Sequence, residues 1–317
     1  MAAITTRVVG AAVVIIVLAA ASGLVVDATS DDDLYVFVIA GQSNAAYFNY
    51  NVNATNEEVP IIPQGSAFYY GTATQPIYYG RLANPTYDTT FESYGFHDLI
   101  GDSGKYVIGN IEAPFASQFF KETGKSVYLI NTAIPGQPID NMIPGELGDD
   151  YARAVFSHAM SVIPNHYHVI MGSILFLQGE SDSDTSVESY KTDFMKVFDS
   201  YKSFAKIDSI LISETRPSDG VNSSVAQLEL CDENDGIYLG STAATGFVNG
   251  TRYMAGDGLH YSQYGDNVIG KDLANCYIEN LYHSSMDFSN LWKIVPVLMI
   301  VCSISAVLIT LVTNRND

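Results

Sequence analysis

The feature that most constrains the fold is Leu34-Tyr35-Val36-Phe37-Val38-Ile39-Ala40, a seven-residue run with no polar alternation, broken at once by Gly41-Gln42-Ser43-Asn44. A stretch that is apolar on both faces and rich in β-branched and aromatic residues is satisfied only inside a sheet covered on both sides. That is the setting of a buried parallel strand. The sudden change to small and polar residues marks a turn at the strand's carboxyl end, the edge at which open α/β sheets bind ligands.

The rest of the chain repeats the theme. Apolar residues recur at helical spacing over 111–123 and stop at Gly124, and a strand follows at 126–131. Helix is then expected over 149–160, strand over 169–177, helix over 187–205, strand over 207–213, a last strand over 237–240 and a closing helix over 262–282. Alternation of this kind predicts an α/β fold, a three-layer α/β/α sandwich with a mainly parallel sheet, occupying residues 34–283 as one domain. Residues 45–110, rich in Tyr, Asn, Gly and Pro, read as long loops with a hairpin that wall a cleft.

Three polar clusters interrupt the apolar frame at strand ends: Gly41-Gln42-Ser43-Asn44, Gln178-Gly179-Glu180-Ser181-Asp182 and Asp257-Gly258-Leu259-His260. In the last, a three-residue separation on a tight turn lets the Asp257 carboxylate accept the Nδ1 proton of His260 and leaves Nε2 as a general base. Ser43 on another strand end could then serve as nucleophile. The plain alternative is a helix-capping turn and an ordinary turn serine. An α/β-hydrolase is disfavoured because Ala45 breaks the G-x-S-x-G elbow and because that fold carries its acid and base on separate loops.

Taken in chain order, the clusters resemble the SGNH hydrolases, a flavodoxin-like class, and within them the sialate O-acetylesterase and plant acetylxylan-esterase-like branch. Gly41-Gln42-Ser43-Asn44 resembles the nucleophile block. Ile130-Asn131-Thr132-Ala133-Ile134-Pro135-Gly136-Gln137-Pro138-Ile139 is similar to the second block, although Pro135 stands where relatives often carry a glycine. Gln178-Gly179-Glu180-Ser181-Asp182 resembles the third, with Phe176 and Leu177 in place of a frequent tryptophan, and Asp257-Gly258-Leu259-His260 resembles the last. The resemblance implies a serine esterase that removes O-acetyl groups from carbohydrates. Ser43, Asp257 and His260 would be catalytic, the oxyanion would lie among the Ser43 and Gly136 amides and the Gln178 side chain, and Gln42, Asn44 and Glu180 would support them. No cofactor and no metal is implied. The alternative is a glycan-binding surface protein that kept the fold and lost turnover.

A formal charge of −20 argues against nucleic acid as a partner. Arg7 precedes a charge-free run over 8–26 with small residues at its end, which reads as a signal peptide or signal anchor within residues 1–26. Residues 294–312 form a second charge-free run, ~28 Å long as a helix, flanked by Trp292-Lys293 and a short tail at 313–317. These segments suggest a membrane anchor with the catalytic domain extracellular or lumenal, as in a viral envelope or organelle membrane. Asn53, Asn222 and Asn249 head glycosylation sequons, and Cys231 and Cys276 are candidates for a disulfide, with two unpaired thiols as the alternative. His166 and His168 lack a third metal ligand at a convincing spacing, and His97 and His158 have no partner that the sequence identifies.

Overall fold

The computed structural model describes residues 32–46, 58–72, 75–76 and 94–283. The opening run becomes β1 (Asp33–Gly41), the centre of an eight-stranded sheet. β2 (Ala67–Thr72), β5 (Ser126–Asn131), β1, β6 (His168–Leu177), β7 (Ile210–Ser213) and β8 (Ile237–Ser241) lie parallel in that spatial order. β3 (Gln75–Pro76) and β4 (Gly95–Asp98) add antiparallel pairings to β2.

The two-residue period of β1 divides the core. Tyr35, Phe37 and Ile39 face one side, where α1 (Glu112–Thr123) and α5 (Gln263–Tyr277) cover them; Phe37 meets Phe115 and Tyr277 edge-on, each with centroids 4.7 Å away. Leu34, Val36, Val38 and Ala40 face the other side, covered by α2 (Leu147–Ser161), α3 (Val187–Ala205) and α4 (Val221–Glu233). Burying each such Val, Ile or Phe contributes about 1.5–3 kcal/mol. This double burial is why β1 lacks any polar alternation, and it yields the expected three-layer sandwich.

Strand 126–131 and helix 187–205 fall where the sequence places them, and the other expected elements shift at their ends; strand 207–213 begins only at Ile210, and the closing helix passes at Ile278–Tyr282 into a π-helical turn. Two regions differ more. Residues 45–110 are not loop throughout, since β2 extends the parallel sheet beside β5 and β4 zips onto β2. α4 carries no readable apolar stripe, because it buries Ser223, Ser224 and Gln227 with Ala226 and Leu230 while Val221, Val225 and Leu228 are exposed. Its inward Ser223 hydroxyl and Gln227 amide instead serve the backbone of the Gln178–Asp182 cluster: Ser223 Oγ donates to Gly179 O (2.9 Å) and Gln227 Nε2 to Gln178 O (2.7 Å).

Cys231 and Cys276 are free thiols rather than a disulfide. Cys231 packs with the core under α4 and Cys276 with the core under α5, so the sheet with its edge strand β8 stands between them. Burial pushes Cys231 up to about 12 and Cys276 to about 11, leaving both protonated at neutral pH. His158 Nδ1 bonds the Tyr70 hydroxyl at 2.8 Å, His97 lies against the Tyr69 ring, and His168 Nδ1 pairs with Asp33 at 2.9 Å. Among the described residues no group of His, Cys, Asp and Glu is arranged to hold a metal ion, and no helix is long and apolar enough to cross a membrane. The runs at 8–26 and 294–312, and Asn53, lie outside the described residues.

Candidate active site

β1 lies between β5 and β6, and the chain crosses from one half of the sheet to the other between those two strands, which puts the ends of β1, β5 and β6 at a topological switch point. Ser43 follows β1, Gly136 follows β5 and Gln178 follows β6. The Ser43 turn is fixed by the sheet itself: Gln42 N–H donates to Leu177 O (3.0 Å), while the Ala45 and Ala46 N–H groups fold back onto Gln42 O at 2.9 and 2.8 Å. Gln42 Oε1 reaches across to accept from Ser181 N–H (3.1 Å) and, more distantly, from Gly179 N–H and Gln178 Nε2 (both 3.4 Å). Ser43 is buried but for a small fraction, and its N–H donates to no backbone carbonyl among the described residues. The same holds for the N–H of Gly136, which lies exposed at its turn.

Gln178 sits differently from the expectation that its amide faces an oxyanion. Its Nε2 is directed at Asp182 Oδ2 and at Gln137 O (3.2 Å) as well as Gln42, and its Oε1 accepts from the Tyr190 hydroxyl (2.8 Å). An amide nitrogen has two protons, and internal acceptors take both. Asp182 also accepts from Ile139 N–H (3.1 Å to Oδ2), so Gln178 and Asp182 together fasten the Gly136-Gln137 turn to the end of β6.

The second half of the site is a short ladder. Met254 pairs with Tyr261 in antiparallel fashion, Ala255 N–H donates to His260 O (2.8 Å), and Asp257-Gly258-Leu259 forms the tip. Asp257 Oδ1 accepts the N–H groups of Leu259 and His260, both at 3.0 Å, and Oδ2 takes Nδ1 of His260 at 2.6 Å. A carboxylate can only accept, so Nδ1 carries the proton of this bond. The bond to His260, helped by the two amides, holds the Asp257 carboxyl down to about 2, so it is ionised throughout the neutral range.

Asn44 joins the halves. Its Oδ1 accepts from Tyr261 N–H (3.1 Å) and its Nδ2 donates to Glu180 Oε1 (2.6 Å), which the Tyr261 hydroxyl also approaches at 3.4 Å. Ser43 and His260 are the chain neighbours of the bonded pair Asn44 and Tyr261. Burial raises the Glu180 carboxyl above its ordinary value despite the Asn44 bond, and its Oε2 is buried without a hydrogen-bond partner. Asn222 and Asn249, both sequon residues, spend their amides on internal contacts, Asn222 Nδ2 donating to Thr185 O (3.0 Å) and Asn249 Oδ1 accepting from Arg216 Nη1 (2.8 Å).

Sequence reasoning missed Arg216. It stands beyond β7 in Thr215-Arg216-Pro217-Ser218-Asp219, and nothing in that order distinguishes it from a surface loop arginine; the legible hint was the carboxylate three residues on. Its side chain is 6% exposed.

The groups so placed at the strand ends are a hydroxyl, an imidazole oriented by a carboxylate, and two amides that donate to no backbone carbonyl among the described residues. The family described as carbohydrate esterase, sialic acid-specific acetylesterase, matches residues 33–279. No curated protein matches. Among solved structures, a protein of Arabidopsis thaliana is 15% identical, with 78% of this chain and 98% of that one covered and a TM-score of 0.53. NanS is 11% identical, with 80% and 98% covered and a TM-score of 0.52. At these identities the likeness shows a shared fold.

Proposed function

Since the chain belongs to the sialic acid-specific acetylesterase family of carbohydrate esterases, we propose that it removes O-acetyl groups from carbohydrates through an acyl-enzyme on Ser43. The observation that carries this reading is the 2.6 Å bond from His260 Nδ1 to Asp257, which commits the other ring nitrogen to proton transfer. Ser43 Oγ attacks the acetyl carbonyl as His260 Nε2 takes its proton. The Ser43 and Gly136 N–H groups face the developing oxyanion, with Gln178 holding the Gly136 turn in place; one such donor is worth about 10²–10³ in turnover. As the tetrahedral adduct collapses, the bond to the sugar oxygen breaks and His260 returns the proton to that oxygen. Water then attacks the acetyl group, His260 takes its proton, and acetate leaves as the proton passes back to Ser43 Oγ.

The same reading places the domain outside the cytoplasm, tethered by residues 294–312; support for it comes from the charge-free run behind Trp292-Lys293. The test is acetate release by the 317-residue chain from p-nitrophenyl acetate, O-acetylated sialic acid and acetylated xylan, beside Ser43→Ala and His260→Ala. Turnover lost in both variants with folding retained supports the mechanism, and the preferred substrate names the glycan. Equal rates in all three proteins would sink it, and glycan binding without acetate release would recast the chain as a binding protein.

A further inference from the structure

The contacts of one buried cation reach the acid–base turn from outside it. A guanidinium has five N–H donors in a rigid plane. All five of those of Arg216 are placed. Nε donates to Asp219 Oδ2 (2.5 Å), and Nη2 to Asp219 Oδ1 (3.0 Å) and to Gly258 O (2.7 Å). Nη1 donates to Asn249 Oδ1 (2.8 Å) and, at the limit of a hydrogen bond, to Phe247 O (3.5 Å). The fork therefore has one edge on a carboxylate of its own loop and the other on the segment from Phe247 to Gly258.

Gly258 is the peptide between Asp257 and the Leu259-His260 amides that Asp257 receives. It has φ +72°, and the Asn249 amide lies about where a side chain would begin, 3.0 Å from that position. Asn249 thus occupies the space beside the turn that a side chain at 258 would need, while Arg216 donates to its carbonyl. Tyr261, the residue after His260, is tied through Asn44 and Glu180 to the serine turn. The tip itself belongs to no strand of the sheet, so beyond its own short ladder its angle toward Ser43 depends on these side-chain bonds.

Resting on the reading of Asp257 and His260 given above, we infer that Arg216, with Asn249, is a positioning residue that sets, through the Gly258 carbonyl, the orientation of the His260 imidazole for proton transfer. It touches no reacting atom. Its charge neutralises Asp219, and its fork fixes the turn; the two roles separate chemically, because a lysine supplies the charge at one point without the planar fork. A misplacement of about 1 Å in a reacting group can cost about 10²-fold.

The experiment compares Arg216→Lys, Arg216→Met and Asn249→Ala in the full chain, with thermal unfolding and steady-state kinetics on an acetylated sugar, and His260→Ala as reference. Expected is a fall in kcat of about 10–10² for both Arg216 variants, with KM changed less than about twofold, and unfolding close to the parent for Arg216→Lys. Asn249→Ala, which removes a single acceptor, should lower kcat by about three- to tenfold without unfolding the protein. Recovery of parental kcat by Arg216→Lys would overturn the inference, since charge alone would then suffice. So would a rise in KM at constant kcat. Should both Arg216 variants fail to fold, Asn249→Ala decides: a folded protein with unchanged kcat rejects the positioning role. Full turnover in His260→Ala would instead reject the underlying catalytic reading, which an intact Arg216 variant beside a dead His260→Ala leaves standing.

Discussion

The two turns that face each other across the site are built by different means. The turn at Ser43 is an extension of the sheet: β1 is buried on both faces, Gln42 continues its pairing to Leu177, and the N–H groups of Ala45 and Ala46 fold back on Gln42 O. The turn at Asp257 and His260 lies outside every strand of the sheet, its tip is largely exposed, and side chains from distant loops hold it. A serine held by the sheet has few ways to drift, whereas a histidine held largely by side chains can be shifted by single substitutions that leave the core alone.

The sharpest way to break the first turn is Gly41→Ala. Gly41 has φ +137°, a region closed to side chains, and a Cβ there would collide with the carbonyl oxygen of Leu177. The clash is with backbone of a central strand, which cannot step aside. A loss of upward of ~4 kcal/mol in urea denaturation is expected, enough to leave little folded protein. A folded, active Gly41→Ala would show that the sheet does not fix the serine.

Asp257→Asn breaks the second turn without touching the fold. Asn keeps the acceptor for the Leu259 and His260 amides but offers the imidazole a donor, favouring the wrong tautomer, and kcat should fall by about 10³–10⁴. The stability side has a definite sign. The native carboxyl is lowered from 3.8 to about 2, so its contribution is fully present above 3.8 and is lost as pH falls toward about 2. With the side chain 49% exposed that contribution is small, and the parent and variant unfolding curves should draw together only in that acidic window.

How each turn could be read from sequence follows from the same contrast. The strand, its abrupt end and the serine were legible because burial on both faces leaves an apolar run that nothing else explains. The three-residue spacing of Asp257 and His260 was legible because their bond is local. Arg216 and Asn249 were not, since their contacts join segments 33 and 42 residues apart with no local pattern. α4 escaped for a related reason: its buried face is chosen to satisfy the carbonyls of Gln178 and Gly179, and this inverts the hydrophobic period. Where backbone polar groups determine a side chain, hydropathy is silent. The Gln178 amide shows the converse, a residue type read for one task and spent on Asp182 and Gln137.

Asn44→Ala tests the joint between the turns. It removes the acceptor of Tyr261 N–H, at about 1–3 kcal/mol, and leaves Glu180 Oε1 with the longer Tyr261 hydroxyl contact alone of the two. Turnover should fall by about 10–10² with a stability loss in that range, measured by kcat beside urea unfolding. Loss of stability with parental kcat would mean that the serine and histidine turns keep their places independently.

Glu180→Gln sharpens the comparison with the smallest effect. Glu180 Oε1 accepts from Asn44, a task that a glutamine oxygen performs equally, while Oε2 is buried without a partner. Because burial raises the folded carboxyl above its unfolded value, ionising it costs folding free energy: the native state favours the protonated form, and stability contributed by that form is present at low pH and lost as pH rises through the folded value. The neutral variant escapes this loss. It should therefore match the parent at acid pH and gain on it, by no more than about 1–2 kcal/mol, as pH rises toward neutrality. If instead Glu180→Gln loses stability most at neutral pH, the negative charge itself is what binds the two turns, through Asn44 and the Tyr261 hydroxyl, and the joint is ionic rather than a neutral hydrogen-bond bridge.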